Sequence, residues 1–229
     1  MKNELIVKTK PKSSISEDIR TIRTNLEFSL SDYDSKVVLV TSSVPSEGKS
    51  FISSNLATTL AQNGNKVLLI DCDLRMGRLH TIYKVSNELG LSNLIMKYDS
   101  DKEIKIKEII KKTDIKNLYL ISRGAVPPNP SELLSSKKFN SIINDFREVF
   151  DYIILDSVPV NGLPDALILS KLADKSVIVA KYGSTNIDVL KDTKKALTNV
   201  NASIAGVIMN RVPKSKSKYG YYYYGEKNG

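Results

Sequence analysis

The chain has 229 residues and 41% hydrophobic content, which suits one α/β domain with a substantial core. Its single cysteine, Cys72, excludes an intramolecular disulfide framework and fits a reducing compartment. No apolar run approaches the roughly 20 residues that span a bilayer, and the start MKNELIVKTKPK lacks an apolar core and a small-residue cleavage site, so a soluble, cytoplasmic protein is expected.

The formal charge of +9 raises nucleic acid and anionic lipid as partners. The lysines, however, are scattered among acids (Lys102, Lys105, Lys107, Lys111, Lys112, Lys191, Lys194, Lys195). No helix-turn-helix, zinc-finger or RNA-recognition pattern accompanies them, so the expectation is a solvated surface and no nucleic-acid partner.

In chain order, residues 1–14 are polar and read as an extended segment. Residues 15–30 read as a helix, with Ile15, Ile19, Ile22 and Leu26 at core-facing spacing and Ser16 as a candidate N-cap. Glu17, Arg20 and Arg23 lie on another face, where ion pairs three residues apart are commonplace. Six short Val/Ile/Leu-rich runs follow, at 37–41, 67–71, 118–122, 152–156, 177–180 and 204–209. They do not alternate with polar residues, which suits strands buried on both faces of a parallel sheet. Helices are expected at 49–63, 131–149 with a break, 164–173 and 186–200. Strands alternating with helices predict a doubly wound, mostly parallel α/β sheet with ligands at the carboxyl ends of the strands. The domain is expected to span 15–212, and residues 213–229, PKSKSKYGYYYYGEKNG, read as a flexible tail.

The first core strand runs into TSSVPSEGKSF and then a helix. Gly48 lets the backbone curl without blocking a phosphate, and backbone N–H groups at the helix start cradle the anion. Lys49 places charge on the β- and γ-phosphates, and Ser50 offers a hydroxyl to Mg²⁺. The common G-x-x-x-x-G-K-[ST] pattern would place its first glycine at position 43, which is Ser43. The second strand ends VLLIDCDLR, which places Asp71 and Asp73 on one side and Cys72 opposite. Two such acids repel unless a cation or a substrate proton lies between them; the competing reading is a turn- or helix-capping pair. The fourth strand ends YIILDSVPV, where Asp156 can hold Mg²⁺ through water.

Together these segments resemble the bacterial tyrosine kinases, specifically the stand-alone type that works with capsular or exopolysaccharide assembly. PSEGKS looks like the family's Walker A, LLIDCDLR like its Walker A′ and IILDSVP like its Walker B. Glu17, Arg20 and Arg23 reproduce its E-x-x-R-x-x-R helix, and PPNPSELL at 127–134 is also similar. Its wider relatives are deviant-Walker ATPases of the MinD and ParA type. Their signature lysine, four residues before the loop glycine, is Val44 here.

The resemblance implies transfer of a phosphoryl group from ATP to tyrosine. Lys49 would neutralise the phosphates, Ser50, Asp73 and Asp156 would hold Mg²⁺, and Asp71 would accept the tyrosine proton, with Asp71 and Asp73 able to exchange roles. Pro45, Ser46, Glu47, Gly48, Lys49, Ser50 and Phe51 would form the nucleotide loop. Asn210 with Arg211 would meet the adenine, although a strand-end turn also explains Asn210. Arg75 would pair with the acids or phosphate, or be an ordinary structural arginine; His80 is expected at the surface. Tyr219, Tyr221, Tyr222, Tyr223 and Tyr224 would be the autophosphorylation sites, used in trans.

The resemblance also implies a homo-oligomeric ring, an octamer, built on Glu17, Arg20 and Arg23. A transmembrane activator's cytoplasmic end would recruit it to the inner face of the membrane, and a cognate tyrosine phosphatase would reverse the modification. The rival reading is a positioning or partition ATPase.

Overall fold

The computed structural model describes residues 4–97 and 106–213. In chain order the elements are α1 (Ile6–Thr9), α2 (Ser14–Ser29), β1 (Lys36–Ser42), α3 (Lys49–Gln62), β2 (Val67–Asp71), α4 (Leu79–Tyr83), α5 (Leu91–Lys97), α6 (Ile106–Ile109), β3 (Lys111–Lys112), β4 (Leu118–Ile121), α7 (Pro130–Leu134), α8 (Lys137–Arg147), β5 (Tyr152–Asp156), α9 (Asp165–Ser170), β6 (Lys175–Lys181), α10 (Ile187–Asn199) and β7 (Ile204–Asn210). The strands form one sheet in the order β3-β4-β2-β5-β1-β6-β7. Every pairing is parallel except β3 with β4. This is the doubly wound α/β fold that the sequence predicts.

The continuous apolar strands follow from burial on both faces, because successive side chains point to opposite sides. Val38 and Val40 of β1, Val67 and Leu69 of β2 and Ile154 of β5 join the core layer that contains Ile52, Leu56 and Leu60 of α3. Their neighbours Val37, Leu39, Leu68, Ile70, Ile153 and Leu155 join the opposite layer, with Phe139, Ile142 and Phe146 of α8. By the same alternation, the next residue facing α3 is Asp71 on β2 and Asp156 on β5.

The amino-terminal segment departs from the expected extended form. Residues 6–9 make one helical turn with Val7 fully buried. Asn55 of α3 holds this turn, accepting from Val7 N at 3.1 Å and donating to Glu4 O at 2.7 Å. The cap of α2 is Ser13, which accepts from Ser16 N, rather than Ser16. Ser16 is fully buried and donates to Lys10 O at 2.7 Å, satisfying the chain as it turns into the helix. Ile19 and Leu26 are buried as expected, but Ile15 is 40% exposed because α1 and its turn bring Ser16 to the domain instead. The break in the 131–149 region lies at Ser135–Ser136, where the Ser136 side chain accepts from Phe139 N to start α8. The tyrosine cluster at 219–224 lies outside the described residues.

Candidate nucleotide and phosphoryl-transfer site

The loop from β1 to α3 carries Gly48 as the cap of α3, at φ +102°. A left-handed backbone here suits glycine. A Cβ at Gly48 would also stand 2.1 Å from Asn210 Nδ2. Gly48→Ala is therefore expected to lower stability by about 1–3 kcal/mol and weaken ADP binding at least tenfold. Thermal melting and an ADP titration check this; unchanged values for both would contradict it.

Glu47 organises the loop from inside. It is 2% exposed, and its Oε2 accepts from Ser43 N at 2.8 Å and Val44 N at 3.0 Å. Its Oε1 accepts from Thr185 Oγ1, which also accepts from Lys181 N at 2.7 Å. Asn210 Nδ2 donates to Glu47 O at 2.8 Å. The carboxyl ends of β6 and β7 thus brace the loop. Thr185 escaped the sequence reading because it lies 138 residues from Glu47 in no motif. Pro45 and Ser46 form the exposed crest, with Ser46 at φ +64°. The Phe51 side chain packs against the core layer, so only its backbone N–H is available to an anion.

Lys49 opens α3. Burial depresses its pKa, while the charges of Asp156, Asp73 and Glu47 oppose that shift. Across from it, Asp71 and Asp156 are register partners on adjacent parallel strands. They are 0% and 1% exposed, and each has a buried Oδ1 with no hydrogen-bond partner. The other oxygen of Asp71 accepts from Leu79 N at 3.0 Å. Gly77 is needed beside it, since a Cβ there would stand 2.1 Å from Asp71 Oδ1.

Burial, then the negative charge of Asp156, pushes the Asp71 carboxyl well above its ordinary range. Burial likewise pushes Asp156 up to about 6, against the lowering effects of the Ser50 and Ser53 hydroxyls and the Lys49 charge. Two buried, unsatisfied carboxylate oxygens beside a hydroxyl and a lysine form a hard-oxygen donor set for a divalent cation. Among the described residues no group of three His, Cys, Asp or Glu converges as a metal cluster. A cation here would draw its remaining ligands from phosphate and water, as is usual for Mg²⁺.

Asp73 lies beyond the end of β2 and is half-exposed. Its Oδ1 accepts from Arg75 N at 3.2 Å and Met76 N at 2.8 Å, which gives it a turn-capping role. Its charge still reaches Lys49. Cys72 points the other way into the opposite core layer, as the alternation requires. Arg75 pairs with neither strand-end acid; it reaches Asp165 Oδ2 at 3.4 Å and Ser131 Oγ at 3.3 Å. Asn210 Oδ1 accepts from Arg211 N at 2.8 Å, so its amide braces both the phosphate loop and its own strand-end turn. His80 is half-buried rather than at the surface, and burial with the Arg123 and Lys111 charges lowers its pKa. On α2, Glu17 pairs with Arg20 within the helix, and Arg23 Nε lies 3.5 Å from Glu27 Oε2.

Residues 35–206 match the family described as an AAA domain. The putative tyrosine-protein kinase CapB of Staphylococcus aureus is 39% identical over 222 residues, covering 97% of this chain and 95% of that protein. The crystal structure of the chimerical protein CapA2B2 superposes with a TM-score of 0.85 at 35% identity, over 93% of this chain and 92% of that one. The septum site-determining protein MinD of Pyrococcus horikoshii, in complex with Mg-ADP, shares the fold with a TM-score of 0.64 at 24% identity, over 80% of this chain and 72% of that one. The fold is a P-loop fold of the deviant-Walker type, which implies nucleotide binding, and by sequence and fold the chain belongs to the bacterial tyrosine kinases.

Proposed function

We propose that the chain uses Mg·ATP to phosphorylate its own tyrosine cluster, Tyr219, Tyr221, Tyr222, Tyr223 and Tyr224, on a second copy of itself. The observation that supports this most is the register pair Asp71 and Asp156, with two unsatisfied oxygens beside Lys49 and Ser50. Lys49 and the N–H groups at the start of α3 hold the β- and γ-phosphates. Ser50, Asp73 and Asp156 would hold the Mg²⁺, with Asp71 and Asp73 able to exchange roles. When bound, the ion would supply charge neutralisation at the phosphates. Asp71, at the carboxyl end of β2, takes the hydrogen of the tyrosine hydroxyl as the phenolic oxygen bonds to the γ-phosphorus and ADP leaves. The adenine lies toward Asn210 and Arg211.

Position 44 is valine and its N–H serves Glu47, so the lysine that marks the positioning ATPases is not supplied. The tail then serves as substrate, and the assembly regulates capsular or exopolysaccharide synthesis. A transmembrane activator recruits it to the membrane from the cytoplasm, and a tyrosine phosphatase resets it.

The test mixes Lys49→Met protein, tail intact, with parent protein whose five tail tyrosines are Phe. Phosphate is expected on the Lys49→Met tail. Its absence from that tail, with the unaltered protein self-phosphorylating in a parallel reaction, would contradict transfer between copies.

The ring is proposed to close through Glu17, Arg20 and Arg23. Among the described residues Arg23 Nε makes no hydrogen bond, and its only ion pair there is the long one to Glu27 Oε2 at 3.5 Å, which a neighbour's carboxylate would replace. Arg20→Ala with Arg23→Ala is expected to give a smaller species by light scattering. An unchanged mass at matched concentration would place the interface elsewhere.

A further inference from the structure

Strand order fixes where the acceptor approaches. The phosphate loop follows β1, Asp156 ends β5 and Asp71 ends β2, while Asn210 ends β7 on the far flank. A nucleotide laid from β7 toward β5 leaves the carboxyl ends of β2 and β4 open to the incoming hydroxyl.

At that place the chain holds out a large apolar side chain. Met76 is 82% exposed, yet its backbone is rigidly held. Its N–H donates to Asp73 Oδ1 at 2.8 Å, and Gly77 N donates to Asp73 O at 2.7 Å. The residues on either side of Met76 are tied to the segment after β4. Arg75 reaches Ser131 Oγ, and Gly77 O accepts from Arg123 Nε at 3.1 Å. Met76 is thereby fixed alongside residues 123–131, where Val126 is 59% exposed. Next to Val126 is a shallow hollow of about 270 Å³, lined by Met96, Pro127, Leu133 and Glu132 among others. Single exposed apolar residues are ordinary on a protein surface. Here the segments that carry Met76 and Val126 are tied to each other by the Arg75–Ser131 and Arg123–Gly77 bonds, and Met76 lies in the turn that Asp73 caps.

We propose that Met76, Val126 and this hollow form an acceptor platform that seats the tyrosine-rich segment 219–224 of a second copy. The inference rests on the reading of the tail as substrate. Thioether and proline surfaces suit aromatic rings, since sulfur packs favourably against ring edges and tyrosine brings a large apolar area with a polar tip. The approach to the tail's cluster carries Lys214, Lys216 and Lys218, which complement Glu132 on the rim and the acids ending β2. A ring seated on Met76 lies next to the turn that Asp73 caps, close in sequence to Asp71. The platform selects for aromatic acceptors by burying the ring and leaves nucleotide binding to α3 and β7.

The test uses full-length protein in Mg·ADP and a fluorescein-labelled peptide of residues 213–229, followed by anisotropy. In M76E/V126E the peptide Kd is expected to rise at least tenfold, while the ADP Kd and melting temperature stay within error of the parent. The same loss is expected for parent protein with a peptide carrying Tyr219→Ser, Tyr221→Ser, Tyr222→Ser, Tyr223→Ser and Tyr224→Ser. Equal peptide affinity in parent and M76E/V126E overturns the platform. So does full binding of the serine peptide, which would assign the contact to the lysines. A drop in assembly mass with unchanged peptide affinity would make this face a contact between folded subunits and also overturns it. Peptide binding that follows the platform, in a protein that never phosphorylates its tail, would instead remove the functional reading and leave the surface in place.

Discussion

In Lys49→Met, self-phosphorylation is expected to fall by about 10³-fold or more, with the fold retained. Lys49 begins α3, so its ammonium group and the helix's free N–H groups address the same anion. Burial lowers the Lys49 pKa, and the charges of Asp156, Asp73 and Glu47 oppose that shift. Methionine has similar length and fills the same space without the charge, so the core layer beneath α3 stays packed. Phosphoryl transfer depends on positioning and on charge stabilisation, and the variant removes both at the γ-phosphate. Quantitative phosphotyrosine blotting of purified parent and variant checks this, with circular dichroism to confirm folding. Parent-like phosphotyrosine in a folded Lys49→Met protein would remove the loop from the reaction.

Asp71→Asn should show two effects of opposite sign. Phosphotransfer is expected to fall at least about 100-fold, the scale of losing a general base. The nucleotide-free protein, however, should become more stable at neutral pH. Asp71 has a pKa above the ordinary value of 3.8 because it is buried and faces the Asp156 charge, and Asp156 because it is buried, with a smaller push from Asp73. A carboxyl with a raised folded pKa contributes its stability in full below the unfolded pKa. That contribution is lost as pH rises through the folded value. For Asp156 the window runs from about 4 to about 6, and for Asp71 it begins at the same point and extends upward. Asparagine keeps an acceptor for Leu79 N–H and removes one buried charge. A gain of roughly 1–3 kcal/mol is expected near pH 8, shrinking toward pH 4 where both carboxyls are protonated. Melting curves from pH 4 to pH 8 without nucleotide or Mg²⁺ check this. Coincident melting of parent and variant at pH 8 would mean that the acid pair carries no strain.

The six longer strands were legible because burial on both faces leaves a simple record, an unbroken apolar run ended by a polar residue. The helices α8 and α10 were legible from length and periodicity, whereas α3, buried continuously from Ile52 to Ala61, was legible from its place behind the Gly48-Lys49-Ser50 loop. The four-residue α1 and five-residue α4 were not, since so few residues cannot show a period. Strand β3 is two lysines, Lys111 and Lys112, held by antiparallel pairing with β4, and nothing apolar announces it. Within the site, Gly48, Lys49 and Ser50 were readable because phosphate chemistry constrains their types and order. The pairing of Asp71 with Asp156 required the sheet register, which puts residues 85 positions apart side by side. Glu47 read as one more loop residue. Its bracing role depends on Thr185 and Asn210, which reach it from distant strand ends. The capping role of Asp73 was open in the sequence, and the geometry of its turn decides it.

The central claim is that this site places phosphate on the chain's own tyrosines. Intact mass spectrometry of the parent protein after incubation with Mg·ATP, with peptide mapping of the tail, tests it most directly. The expected result is a ladder of added phosphates that maps to Tyr219 and Tyr221 through Tyr224 and vanishes in Lys49→Met. An unmodified tail in a protein that hydrolyses ATP, with its cognate activator present, would contradict the account and point to a nucleotide-driven switch in its place.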